Sequence, residues 1–171
     1  MYSTAILFPV VAEDNSDFVL WSLSSVGATK DVSLFSLCSD GVSGFPDMAR
    51  NEGKSRDDLT TRLFQDNAGF TLVHFLFPGV IVLPGFYQAA RVVLEATKRD
   101  YCFCHLLDID KSGNQVIKVP LVDDTFCPSQ FVVRSWVLEE LGMKGMGEMF
   151  KQVIQDYRGY EIPTVFCVRM K

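Results

Sequence analysis

The sequence predicts an α+β fold: one domain, a mainly antiparallel sheet of hairpins, and about four helices packed on it. Three observations carry this expectation. Apolar, strand-like runs come as adjacent pairs and not in strict alternation with helices. The densest stretch, Phe70 to Asp110, holds a Pro78-Gly79 turn, an amphipathic segment and a further apolar run. With 171 residues, 48% hydrophobic and 22% charged, the chain matches an ordinary globular domain that needs no disulfide or metal staple. Residues 1–171 are therefore expected to form a single domain.

Thr4 to Ala12 reads as a strand, and Pro9 inside it points to an edge strand or a bulge, because proline cannot donate to a central ladder. Glu13 to Asp17 is a polar turn. Phe18 to Ser24 follows as a strand with Val19, Trp21 and Leu23 on one face, and Val32 to Cys38 as another. Residues 39–56 hold Gly41, Gly44, Pro46 and Gly53 without periodicity, and are expected to form a mobile loop. Ser55 and Asp58 have the spacing of a capping box for a helix from Arg56 to about Asn67 that buries Leu59, Leu63 and Phe64.

Pro78-Gly79 suits a type II turn and splits Phe70–Leu83 into two strands. Neither has a polar face, so both should be covered on two sides or lie mid-sheet. Phe86, Ala89, Ala90, Val93, Leu94 and Thr97 repeat at helical spacing. Tyr101 to Ile109 and Val116 to Val122 form a hairpin around Asp110-Lys111-Ser112-Gly113-Asn114. A helix is expected from Ser129 to Leu141, stopped by Gly142, and another carrying Met146, Met149, Phe150, Val153 and Ile154. Thr164 to Met170 closes the chain as a strand.

Charge and cysteine content narrow the function. The net charge of −5 and the lack of a basic run argue against nucleic acid and against an anionic membrane face. A basic or neutral protein partner suits the charge better. The five cysteines, Cys38, Cys102, Cys104, Cys127 and Cys167, are odd in number and sit in apolar contexts, which suits a reducing, cytoplasmic compartment. No basic leader opens the chain, and the longest apolar run is too short to span a bilayer.

Several constellations resemble sites. Asp108, Asp110, Ser112 and Asn114 place oxygens at alternate positions before a turn, as a calcium loop does. The twelfth position, which needs a bidentate acid, is Val119, so a plain turn is the better reading. Cys102, Cys104 and His105 resemble metal ligands, but strand alternation puts His105 on the other face. A cysteine nucleophile needs a histidine, and only His74 and His105 are present; Cys38 is the best-placed thiol. Asp47 and Glu52 suggest a metal-dependent nuclease only faintly, lying too close together in one loop. The methionine stripe Met143, Met146 and Met149 reads as core before it reads as an adaptable surface.

No catalytic set, cofactor site or metal site emerges. The leading expectation is a non-enzymatic protein-binding domain of inhibitor, immunity or adaptor type. The alternatives are a small enzyme using Cys38 with His74 or His105, and a structural subunit of a larger assembly.

Overall fold

The computed structural model describes residues 2–27, 29–39, the backbone of 49–50, 54–120, 127–143 and 145–171. Nine strands and five helices are found among them: β1 (Thr4–Val10), α1 (Ser16–Ser25), β2 (Val32–Cys38), β3 (Ala49–Arg50), α2 (Arg56–Asp66), β4 (Leu72–Phe75), β5 (Val80–Val82), α3 (Phe86–Thr97), β6 (Tyr101–Ile109), β7 (Gln115–Lys118), β8 (Phe131–Arg134), α4 (Ser135–Leu141), α5 (Met146–Asp156) and β9 (Gly159–Met170).

The expected sheet of antiparallel hairpins is incorrect. The strands form one mixed sheet in the order β3-β2-β1-β4-β8-β6-β9-β5, with β7 on β6. β1 pairs in parallel with both β2 and β4, and β9 pairs in parallel with β6. Helices cover both faces. Ile6, Phe8 and Val10 of β1 point into one core with Val19 of α1 and Phe86, Ala90 and Leu94 of α3. Ala5 and Leu7 point into the other with Leu59 of α2, Val137 of α4 and Phe150 of α5. A strand covered on both faces has no solvent side, which is why every residue of β1 and β4 is buried and neither strand alternates. The strand expected at Val80 is instead the terminal strand of the sheet, bonded to β9.

Pro9 does not push β1 to an edge. Val10 accepts from Ser39 N on the β2 side, so Pro9, one residue earlier, faces β4. There the ladder has already ended at Leu7↔Phe75, so the missing N–H costs no bond. The Pro9 carbonyl accepts instead from Arg56 Nη1 at 3.3 Å.

Phe18–Ser24 is helical, not extended. Asn15 caps α1, its side chain accepting from the backbone of Asp17 and Phe18. The helix buries Val19 and Ser22, three residues apart, and leaves Leu20 and Trp21 about half exposed. Its serines serve the sheet edge: Ser22 Oγ accepts from Gly79 N and Ser25 Oγ from Val82 N, each at 3.0 Å. The helix expected from Ser129 is a 3-10 turn, a strand and a short helix, because Phe131, Val132 and Val133 are buried between β4 and β6. α2 begins on the expected capping box, with Asp58 N donating to Ser55 Oγ and Ser55 N to Asp58 Oδ2. The expected mobile loop of residues 39–56 falls mostly outside the described residues; within it, Ala49–Arg50 pairs in parallel with β2. Met146, Met149 and Phe150 are core. Burying each such side chain contributes about 1.5–3 kcal/mol.

Candidate functional site

The chain runs outward from β1 through β2 to β3, then takes β4 on the other side of β1. In open α/β sheets a crevice opens at the carboxyl ends of the strands where the order reverses, and ligands bind there. A cleft of about 390 Å³ lies at the carboxyl ends of β1 and β2, lined by Val11, Ala12, Glu13, Ser39, Lys54, Ser55 and Arg56. Val11 to Glu13 follow β1, Ser39 follows β2, and Lys54 to Arg56 lead into α2.

Arg56 organises this end of the sheet. Its guanidinium reaches Asp14 Oδ1 at 2.6 Å and lies 5.4 Å from the Phe77 ring centroid, beyond the carboxyl end of β4. Asp14 Oδ2 accepts from Val11 N at 2.8 Å, so one carboxylate bridges the guanidinium and the turn after β1. Arg56 thus ties β1, its following loop and the segment after β4 together. Lys54 adds a second cation to the wall, and its charge helps lower the Asp58 pKa, behind the larger effect of the Ser55 hydrogen bonds.

The residues singled out from the sequence lie elsewhere. Cys38 ends β2 and is fully buried, turned into the core beneath the cleft. His74 is level with Ile6, four residues before Val10, the partner of Cys38. Strand spacings put Cys38 and His74 about 16 Å apart. Three strands, β1, β4 and β8, separate β2 from β6, which carries His105. No Cys38–histidine pair forms.

His74 is locked inside the sheet, Nδ1 to Tyr87 Oη at 2.9 Å and Nε2 to the Ser129 carbonyl at 2.8 Å. Burial lowers its pKa to about 4, against the raising effect of the Ser129 bond. His105 Nε2 meets Glu161 Oε1 at 2.7 Å. Asp108 bonds Arg169 through both carboxylate oxygens at 2.7 Å and Lys171 at 2.8 Å. Burial alone would raise its pKa, but these bonds outweigh it and hold it low. Asp110 accepts from Ser112 N, Asn114 N and Asn114 Nδ2, the pattern of an Asx-stabilised turn. Among the described residues no group of three or more His, Cys, Asp or Glu is placed to hold a metal ion. Asp47 and Glu52 lie outside the described residues.

No family model and no curated protein matches the sequence. Solved structures do. The structure of Staphylococcus aureus TarS 1–349 in complex with UDP superposes with a TM-score of 0.74 at 9% identity, covering 99% of this chain and 60% of that one. The fold is the one TarS has. The same TarS segment in complex with UDP-GlcNAc gives 0.71 at 9% identity over 99% of this chain and 58% of that one, and a longer TarS chain 0.71 at 8% identity over 99% and 37%. The present chain thus spans about 60% of TarS 1–349. These likenesses correct the expectation of an inhibitor, immunity or adaptor domain: two of the TarS structures that share the fold are complexes with UDP and with UDP-GlcNAc.

The cleft residues were visible in the sequence only in other roles. Ser55 and Arg56 read as the start of a helix and Glu13 as part of a turn. The missed signal was the β1–α1–β2 unit, concealed once α1 was read as a strand.

Proposed function

We propose that the chain binds a nucleoside diphosphate sugar of the UDP class in the cleft at the carboxyl ends of β1 and β2, as the nucleotide-sugar-binding part of a glycosyltransferase-like enzyme. The supporting observation is the position of that cleft, with Lys54 and Arg56 in its wall, in a fold shared with TarS bound to UDP. A diphosphate carries its charge on oxygens that a cation can meet. Lys54, on a flexible stem, is the mobile point charge for it, and Arg56, held by Asp14 and Pro9, fixes the shape of the wall. Localised charge of this kind stabilises a departing diphosphate, which is what transfer of the sugar needs.

Isothermal titration of the chain with UDP and UDP-GlcNAc tests the reading. Saturable binding that falls about tenfold in Lys54→Ala is expected, the size of one lost charge-assisted contact. A folded chain that takes up neither ligand at millimolar concentration refutes it.

The compartment belongs with this proposal. Among the described residues no helix is long and apolar enough to cross a membrane. All five cysteines are buried and none forms a disulfide, which supports a reducing, cytoplasmic setting. A protein partner remains part of the proposal, supported by Val116 and Ile117 on β7, each more than half exposed.

A further inference from the structure

A second cavity, of about 350 Å³, lies at the amino ends of β1 and β2, lined by Thr4, Thr29, Lys30, Asp31, Val32, Tyr87, Gln88 and Arg91. Thr4 and Val32 are seven residues from Val11 and Ser39 of the other cleft, which puts the two about 23 Å apart. A smaller cavity of about 160 Å³ adjoins it, sharing Thr29 and Tyr87, with Val82, Leu83 and Pro84 in its wall.

We propose that these adjoining cavities together bind a short-chain carboxylate, its head against Arg91 and Lys30 and its aliphatic tail along Val82, Leu83 and Pro84. The cationic lobe is built, not incidental. Val32 N donates to the Thr29 carbonyl, closing a turn that carries Lys30 and Asp31. Asp31 has φ 64, the left-handed conformation that the third position of a type II turn requires, and its carbonyl accepts from Thr4 N at 2.9 Å. The turn is therefore pinned to β1. The Asp31 carboxylate holds Arg91 Nη1 at 3.2 Å from the α3 side. Lys30 and Arg91 against Asp31 leave the lobe one positive charge, in a chain of net charge −5. A guanidinium has five donors, and one bond to Asp31 leaves capacity for a second carboxylate.

Tyr87 forms the shared wall. It is buried, and its hydroxyl is tied to His74, so the ring that both lobes share is held in place. A phosphate alone would leave the Val82–Pro84 lobe empty, and an uncharged alcohol would leave Arg91 and Lys30 without a counter-charge.

The experiment is a titration of the full chain with hexanoate, 1-hexanol and inorganic phosphate, followed by calorimetry and by chemical-shift changes at Thr29, Tyr87 and Arg91. Hexanoate should bind saturably, about tenfold more tightly than hexanol or phosphate, and Arg91→Gln should lose about tenfold. Lys30→Gln, which leaves the Asp31–Arg91 pair intact, should lose affinity with an unchanged melting temperature, so a folding defect cannot mimic the result. UDP should neither compete with hexanoate nor be affected by Lys30→Gln. No saturable hexanoate binding, equal binding by wild type and Lys30→Gln, or competition with UDP each overturns the proposal.

Discussion

Arg56 donates to the carbonyl oxygen of Pro9 across 47 residues of sequence, at 3.3 Å, while Asp14 holds the same guanidinium at 2.6 Å. A proline in a central strand with parallel neighbours on both sides is tolerated because its nitrogen faces past the end of β4 and its oxygen has this partner. Arg56→Met leaves that oxygen and the mostly buried Asp14 without the guanidinium. We expect a loss of about 2 kcal/mol in urea unfolding and weaker UDP binding together. Lys54→Ala should weaken UDP binding alone. Equal destabilisation by both variants would contradict the division of roles between them.

Gly159 opens β9 against the ring of Tyr101. A Cβ built there would lie 2.6 Å from both Tyr101 Cε2 and its hydroxyl oxygen, and Tyr101 is buried. Gly159→Ala should cost about 3 kcal/mol, since the ring cannot leave a packed core without disturbing its neighbours. Tyr101→Ala in the same chain should make the second substitution nearly neutral. Additive losses in the double variant would disprove the clash.

His74 makes stability depend on pH. Its pKa falls from the ordinary 6.5 to about 4 because the buried ring resists charge. The unfolded chain therefore binds a proton that the folded chain refuses. Stability is full above pH 6.5, falls as pH drops toward 4, and has no further His74 contribution to lose below that. Between pH 7 and 5 the loss is about 2 kcal/mol. Denaturant melts of wild type and His74→Gln at those two pH values check it. An equally steep fall in the variant would assign the effect elsewhere.

Calcium should not change the melting temperature. Asp108 is engaged by Arg169 and Lys171, and Asp110 by its own turn. Asp108→Asn, by contrast, should lower stability by about 2 kcal/mol, because Arg169 loses a charged partner while half-buried. A rise of several degrees in millimolar calcium, reversed by chelator, would mean that the cation displaces these partners.

Local chemistry was legible in the sequence, and long-range pairing was not. The Ser55–Asp58 box, the α3 stripe and the Asp110–Asn114 turn each lie within a few residues and folded as read. Val93 on that stripe packs against the core while staying partly exposed, and Ala90 and Leu94 take the fully buried positions. β1 and β4 pair across 68 residues, and two-faced burial erases the alternation that would reveal parallel partners. α1 was misread because Val19, Trp21 and Leu23 alternate as a strand does, while the signal that mattered was Asn15 followed by Asp17 in a first turn. With that helix went the βαβ unit, and with the unit the cleft at its carboxyl ends. Cys38 sat one residue from the cleft and faced away from it.

Among the described residues β9 follows every other strand, yet it is inserted between β6 and β5. β5, at residues 80–82, hydrogen-bonds to it through Val80↔Arg169 and Val82↔Cys167. On a ribosome moving at about 5–20 residues per second, the segment that becomes β5 waits several seconds for that partner to be made. The sheet cannot close in the order of translation. Its first four strands can assemble as they emerge, but the far half must hold a gap open for a late arrival, and in that interval the exposed edge of β6 is the site most open to capture by a chaperone or by another nascent chain.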